Sequence, residues 1–271
     1  MPRHFWKQLK RLSNRFHLDL NRLRNRRCRL QGHLLFPQHR ASRLLLPLLR
    51  PYPSLSSSFI FKPLNIAIIG TGYVGLVTGT CFAEVGHNVV CVDCDEDKVK
   101  LLQGGGIPIY EPGLEEMVKK NVADGRLSFT ASTSEGVEKS DVIFIAVPTP
   151  PLEDGSVDLS FIERVARDIA NAMTSYKIVV DKSTVPVKTG EKVAETIKRY
   201  CKANCEFDVI SNPEFLREGF AVEDLMKPDR IVVGSASDRP NESMRAIYEP
   251  FNAPIIFTDI NSSLLYTSPS P

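Results

Sequence analysis

The chain has 271 residues, 42% of them hydrophobic, which suffices for one large or two modest domains with a core. Its net charge of +2 hides an asymmetry: fourteen of the 34 Lys/Arg but one of the 32 acids, Asp19, lie in residues 1–64, so that segment carries +13 and the remainder −11. An acidic body argues against nucleic acid as a partner, no apolar run is long enough to span a membrane, and six scattered cysteines with a single C-x-x-C argue against a zinc site, so no metal is expected.

Residues 1–64 are rich in Arg, Leu, Ser and Pro and show no strand–helix alternation. Such a basic, acid-poor leader resembles an organelle transit peptide. Translation from upstream of the true start explains it equally well, and a polybasic arm for nucleic acid or anionic lipid ranks behind both. The body is expected to fold without it. A cytoplasmic location follows, or an organelle if the leader is a true transit peptide.

From Asn65 the pattern changes. Ile66 to Ile69 reads as a buried parallel strand. Gly70-Thr71-Gly72-Tyr73-Val74-Gly75 follows as a G-x-G-x-x-G. Val74, Val77, Thr78, Cys81, Phe82 and Val85 then recur at helical steps, and Gly86 stands where a C-cap glycine belongs. A second strand, Val89 to Val92, ends at Asp93, eighteen residues beyond Gly75. In this setting Gly70 permits the tight turn, Gly72 lets a pyrophosphate approach the backbone, and Gly75 lets helix and strand touch. The free N–H groups of the helix start favour that anion. Asp93 would accept hydrogen bonds from the adenosine ribose. A 2′-phosphate would face Asp93, Asp95, Glu96 and Asp97 together, so NAD is expected rather than NADP. An ordinary βαβ turn would explain the glycines but not the acid. Cys91 and Cys94 form the C-x-x-C along this strand, a placement that suits buried thiols in a reducing compartment.

Further along, a helix is expected over Glu96 to Gln103, then a glycine run and a loop with two prolines, Ile107 to Leu114. An amphipathic helix should run from Leu114 to about Val122, and a short strand from Leu127 to Phe129. Ser132 to Glu135 fits a capping box. Asp141 to Val147 reads as a buried strand, stopped by Pro148-Thr149-Pro150-Pro151. Asp158 is placed to cap a helix whose Ile162, Val165, Ala166, Ile169 and Met173 share one face. Strands at Lys177–Asp181, Phe207–Ile210, Ile231–Val233 and Ile255–Phe257 alternate with helices at Thr189–Tyr200 and near Asn241–Tyr248. The class is therefore α/β, a Rossmann-like doubly wound, mostly parallel sheet with its ligand at the strand carboxyl ends. Thr184 and Glu214 both follow strand ends. Taken alone, Thr184 could be a helix-start cap, and Glu214 an acid at a helix N-terminus after Pro213.

Five stretches in order carry a resemblance: Gly70 to Leu76, Ile109 to Leu114, Val147 to Pro150, Lys182 to Pro186, and Asn212 to Gly219. Together, from Asn65 to about Ile260, they resemble the UDP-glucose/GDP-mannose dehydrogenase family. The resemblance implies NAD-dependent oxidation of a nucleotide sugar at C6. UDP-glucose is the expected substrate, oxidised to UDP-glucuronate by two NAD; GDP-mannose or another nucleotide sugar is the alternative. It implies that Gly70 to Gly75, Asp93 and Lys98 hold the adenosine and pyrophosphate end. Val147, Thr149, Ser183 and Thr184 would line the nicotinamide side. Thr184 would position a water, with Glu214 as acid/base group. Glu214, Phe215, Leu216, Arg217 and Glu218 would touch the sugar nucleotide, with Glu218 also near the cofactor and counted with Thr184 and Glu214 among the catalytic residues. A homo-oligomer is implied for the full-length enzyme.

After Ser262 the likeness ends. The family continues into a helix with a catalytic lysine and later a cysteine nucleophile; residues 261–271 read instead as a low-complexity tail without a helix pattern. The expectation is that this chain binds NAD without turning over UDP-glucose. A non-catalytic nucleotide-binding module is the competing class. A 3-hydroxyacid-type dehydrogenase would leave Asn212 to Gly219 unexplained.

Overall fold

The computed structural model describes residues 62–202 and 205–265. Nearly all of the basic leader, and the end of the tail, lie outside the described residues. Leu64 already belongs to the body, because its carbonyl accepts from Asn88 N at 3.0 Å.

Eight strands form one sheet: β1 Asn65–Ile69, β2 Asn88–Val92, β3 Leu127–Thr130, β4 Val142–Ile145, β5 Lys177–Asp181, β6 Phe207–Ser211, β7 Ile231–Ser235 and β8 Ile255–Thr258. The helices are α1 Tyr73–Glu84, α2 Glu96–Gln103, α3 Leu114–Ala123, α4 Thr133–Glu138, α5 Ser160–Ala172, α6 Thr189–Tyr200, α7 Ala221–Met226, α8 Asn241–Tyr248 and α9 Ser262–Leu265. Strand order is β3-β2-β1-β4-β5-β6-β7-β8. All neighbours are parallel except β6 and β7, which pair antiparallel through Ile210↔Ser235 and Ser211↔Gly234. The order reverses between β1 and β4, which opens the crevice at their carboxyl ends.

Side-chain alternation along the central strands feeds two cores. Ile66, Ile68, Phe144 and Val180 pack with Leu76, Phe82, Leu114 and Tyr248 on one face. Ala67, Ile69, Ile143 and Val179 pack with Ile162, Ile169, Val193 and Ile197 on the other. Phe82 of α1 anchors the first: its ring lies 5.2 Å from Phe144, 5.5 Å from Tyr248 and 6.1 Å from Phe251. Every residue of α1 from Gly75 to Ala83 is buried. The helix is therefore covered all round, and its apparent one-sided stripe understates its burial.

Three local expectations are corrected. Ser132 does accept from Glu135 N at 3.2 Å, but the Glu135 carboxylate turns to Thr130 Oγ1 and Lys139, so the reciprocal half of the box is not made. Asp158 stands one residue before the N-cap position of α5, Leu159, and accepts from Ser160 N at 2.9 Å. The tail expected to lack helix forms one turn at α9, with Ser263 and Leu264 buried. Asp259 starts that turn by accepting from Ser262 N at 2.9 Å, and Gly234 makes room for it: a Cβ there would sit 2.3 Å from Ser263 Oγ.

Candidate active site

The site begins at the β1–α1 turn. Gly70 has φ +104°, and a Cβ on it would lie 2.3 Å from the Ala146 carbonyl oxygen of the neighbouring strand end. A Cβ on Gly75 would lie 1.9 Å from Gly70 O, so only glycine allows this closeness of helix and turn. Gly72 differs: a Cβ there would meet nothing within 4 Å. It borders open space at the start of α1, a helix with no side-chain cap and no acid in its first turn. Backbone N–H groups facing open space suit an anionic pyrophosphate.

Asp93 closes the turn from the end of β2. Its Oδ2 accepts from Thr71 N at 2.9 Å, Thr71 Oγ1 at 2.6 Å and Lys98 Nζ at 2.8 Å. Its Oδ1 accepts from Asp95 N at 3.0 Å. Burial alone would raise its pKa, but the bonds from Lys98, Thr71 and the Asp95 amide outweigh that and hold it below the usual carboxylate value. Oδ1, with one donor, keeps acceptor capacity for a ribose hydroxyl. Thr71, Asp93 and Lys98 thus form one buried-to-surface unit, and these residues fit an NAD adenosine.

The next strand ends are tied across the crevice. Ser183 Oγ donates to Val147 O at 3.0 Å, and Thr149 Oγ1 donates to Thr184 O at 2.9 Å. The expected nicotinamide-side residues are therefore brought together by cross-loop bonds. Thr184 and Glu214 line one cavity of about 210 Å³ with Ser183, Val185 and Leu216. Glu214, Phe215, Leu216 and Arg217 line a second of about 510 Å³, with Lys182, Asn212 and Tyr248 on its wall. Glu214 sits between the two, its Oε2 accepting from Leu216 N. Arg217 is held by Asp224 at 2.6 Å and lies over Phe220. Glu218 is exposed and lines neither cavity.

Two features went unassigned in the sequence. Lys182 is 3% exposed, with Nζ 3.3 Å from Asn212 Oδ1, which also accepts from Tyr248 OH. Burial pushes this lysine down to about 8, with Glu214 opposing the shift. A lysine directly after an apolar strand was the available signal. Beside it, burial raises Asp181 to about 7. The second feature is Glu111, buried in the two-proline loop, whose carboxylate accepts from Tyr73 OH and from Gly219 N at 2.9 Å. Of the C-x-x-C pair expected to be buried, Cys91 is buried, which pushes it up to about 12, but Cys94, beyond the end of β2, is exposed, and neither lines a cavity described above.

A doubly wound sheet with a glycine turn at one strand end and a buried acid at the end of the next defines a dinucleotide-binding domain. The family model for the UDP-glucose/GDP-mannose dehydrogenase family, NAD binding domain, matches residues 64–252. The chain belongs to that family and carries its NAD-binding domain. It is 49% identical to UDP-glucose 6-dehydrogenase TuaD of Bacillus subtilis (strain 168), over 73% of this chain and 43% of that one. It is 50% identical to a UDP-glucose 6-dehydrogenase of Rhizobium meliloti (strain 1021), over 74% of this chain and 47% of that one. The solved UDP-glucose dehydrogenase of Pyrobaculum islandicum superposes with TM-score 0.75 at 40% identity, covering 77% of this chain and 49% of that one. The chain spans about half the length of the curated relatives it matches. No described helix is long and apolar enough to cross a membrane.

Proposed function

We propose that this chain presents NAD to a nucleotide sugar, UDP-glucose, for oxidation of its C6 alcohol to the carboxylate of UDP-glucuronate. The observation that carries this reading is the shared cavity of Thr184 and Glu214, at the carboxyl ends of β5 and β6, on the sheet whose β1 end holds the glycine turn. NAD, when bound, supplies the hydride acceptor for each of the two oxidation steps.

The chain's own groups divide the remaining work. Gly72, Tyr73 and Val74 offer N–H groups to the pyrophosphate, and Asp93 fixes the ribose, with Thr71 and Lys98 fixing Asp93. Val147, Thr149 and Ser183 form the nicotinamide wall through their cross-loop bonds. Thr184 orients a water, and Glu214 takes its proton as the acid is released. Phe215, Leu216 and Arg217 border the sugar nucleotide, with Glu218 at the rim toward the cofactor. The active assembly is a homo-oligomer in this reading.

The test follows absorbance at 340 nm for this chain alone and for the chain joined to the C-terminal half of the Rhizobium meliloti relative. UDP-glucose, GDP-mannose and UDP-N-acetylmannosamine are compared. The joined protein should form two NADH per UDP-glucose and use UDP-glucose fastest. Faster turnover of GDP-mannose would reassign the substrate.

A further inference from the structure

We propose that Glu111 is a positioning residue: its carboxylate locks the loop that carries Glu214 and Glu218 to the first turn of the dinucleotide helix, so that filling the cofactor site is felt at Gly219 and Val222. The inference rests on the NAD-binding reading and extends it to the substrate side.

Glu111 lies in the loop between α2 and α3, with Pro108 and Pro112 near it, and is 3% exposed. Its Oε2 accepts from Tyr73 OH and from Gly219 N at 2.9 Å, and its Oε1 from Val222 N at 3.4 Å. Tyr73 OH also accepts from Gly219 N at 2.8 Å. One carboxylate therefore joins the fingerprint, the two-proline loop and the segment after Glu218. These partners are a phenol and backbone amides, not a cation. A buried charge held by dipoles alone is stable only while each donor stays in place, so displacing either loop leaves it unsatisfied.

Its connections point at the chemistry. Tyr73 is the first residue of α1, where the pyrophosphate would sit. Gly219 follows Glu218 directly and has φ +84°, a backbone state that fixes the direction of the chain on either side. Burial, then the bond to Glu111, pushes the Tyr73 hydroxyl up to about 12, so it remains a donor across the working pH range. Ordering the glycine turn around NAD thus holds Tyr73, Tyr73 holds Glu111, and Glu111 holds Gly219.

Amide hydrogen exchange by NMR on this 271-residue chain, with calorimetry for NAD, tests the coupling. In the parent, NAD should slow Gly219 and Val222 about tenfold or more, besides slowing the fingerprint amides. In Glu111→Ala, NAD should still protect Thr71 to Gly75, but its effect on Gly219 should fall below about twofold. Glu111→Gln, which keeps an acceptor for Gly219 N, should restore part of it. Tyr73→Phe removes one hydroxyl and supplies the test should Glu111→Ala not fold; it too should weaken the NAD effect at Gly219. A merely structural role would change Gly219 exchange equally with and without NAD. NAD-dependent slowing at Gly219 that is absent in the parent, or undiminished in both variants, overturns the coupling. A parent that gives no NAD heat overturns the cofactor reading itself, and the coupling with it.

Discussion

Replacing Asp93 by Asn removes one charge and leaves the shape. In the parent, Oδ2 takes three donors, from Thr71 N, Thr71 Oγ1 and Lys98 Nζ, at 2.6–2.9 Å. An amide keeps one acceptor oxygen but no charge, and its NH2 must face either these donors or Asp95 N. Hydrogen bonds to a charged group contribute about 1.5–3 kcal/mol each, and part of them survives, so a loss of about 2–3 kcal/mol is expected. For a domain of this size that lowers Tm by about 4–12 °C. The sign with pH follows from the depressed pKa of Asp93. Its contribution is present above the unfolded value near 4 and is lost as pH falls through the lower folded value. The gap between parent and variant should therefore be full at pH 7 and close in strongly acidic solution.

The same substitution reports on the cofactor. Loss of the carboxylate's charge and of one acceptor oxygen should weaken NAD by about tenfold or more, or ~1.4 kcal/mol. Like charges about 4 Å apart repel by about 1–4 kcal/mol, depending on how wet the site is. In the parent this opposes a 2′-phosphate, whereas in Asp93→Asn the freed Lys98 would attract one. The ratio of NAD to NADP affinity should fall by about tenfold or more. Calorimetry with both cofactors, and melting from pH 3 to 8, read the two effects. A variant with the parent's NAD/NADP ratio would refute the ribose assignment, whatever its stability.

Three further outcomes are expected. Lys182→Met should stabilise the chain by about 1–3 kcal/mol at pH 7, because a folded pKa pushed down to about 8 means the buried ammonium opposes folding at lower pH. The gain should shrink as pH rises from about 8 to about 10.5, the folded lysine losing its proton first and the unfolded one at the upper end, and a gain independent of pH would show that packing causes it. Gly75→Ala should cost about 3 kcal/mol or more, since its Cβ would fall 1.9 Å from Gly70 O, whereas Gly72→Ala should leave Tm unchanged and weaken NAD about tenfold; equal melting losses in both would sink this division of roles. In the joined protein, Glu214→Gln should lower kcat by about a hundredfold or more with little change in NAD affinity, and a parent-like kcat would remove Glu214 from the chemistry.

Much of this was legible because it is local. A strand, three glycines at fixed steps and an acid eighteen residues on are all contained between Ile66 and Asp93, and the turn they make is short. The strands were legible as β-branched apolar runs, and the ends of β5 and β6 named the loops that line the two cavities. What escaped depends on partners far along the chain. The sequence places Glu111 only in a two-proline loop, and the partner that shows its role, Gly219, stands more than a hundred residues later. Lys182 stands there only as the start of a motif, and its burial depends on Asn212 and Tyr248, thirty and more residues on. The helix α7 has six residues, too few to show a period, and the turn at α9 depends on the absence of a side chain at Gly234.

The reversal of β7 has the same character and a functional consequence. Up to β6 each parallel strand delivers its carboxyl end to the same edge of the sheet, so Val147 and Thr149 after β4, Ser183 and Thr184 after β5, and Glu214 after β6 arrive side by side. A further parallel strand would carry the chain away from that edge through a helix on the sheet face. Instead the chain stays at the edge: residues 212–220 and the short α7 lie there before β7 returns antiparallel to β6. That detour leaves room for a cavity of about 510 Å³ beside Glu214, walled by Lys182 and Asn212 from the parallel strands and by Leu225, Arg230 and Ile231 from the returning chain. The crevice between β1 and β4 needs no such reversal, since parallel strands alone open it; the antiparallel pair adds a second wall, the segment from Asn212 to Ile231, beside the end of β6.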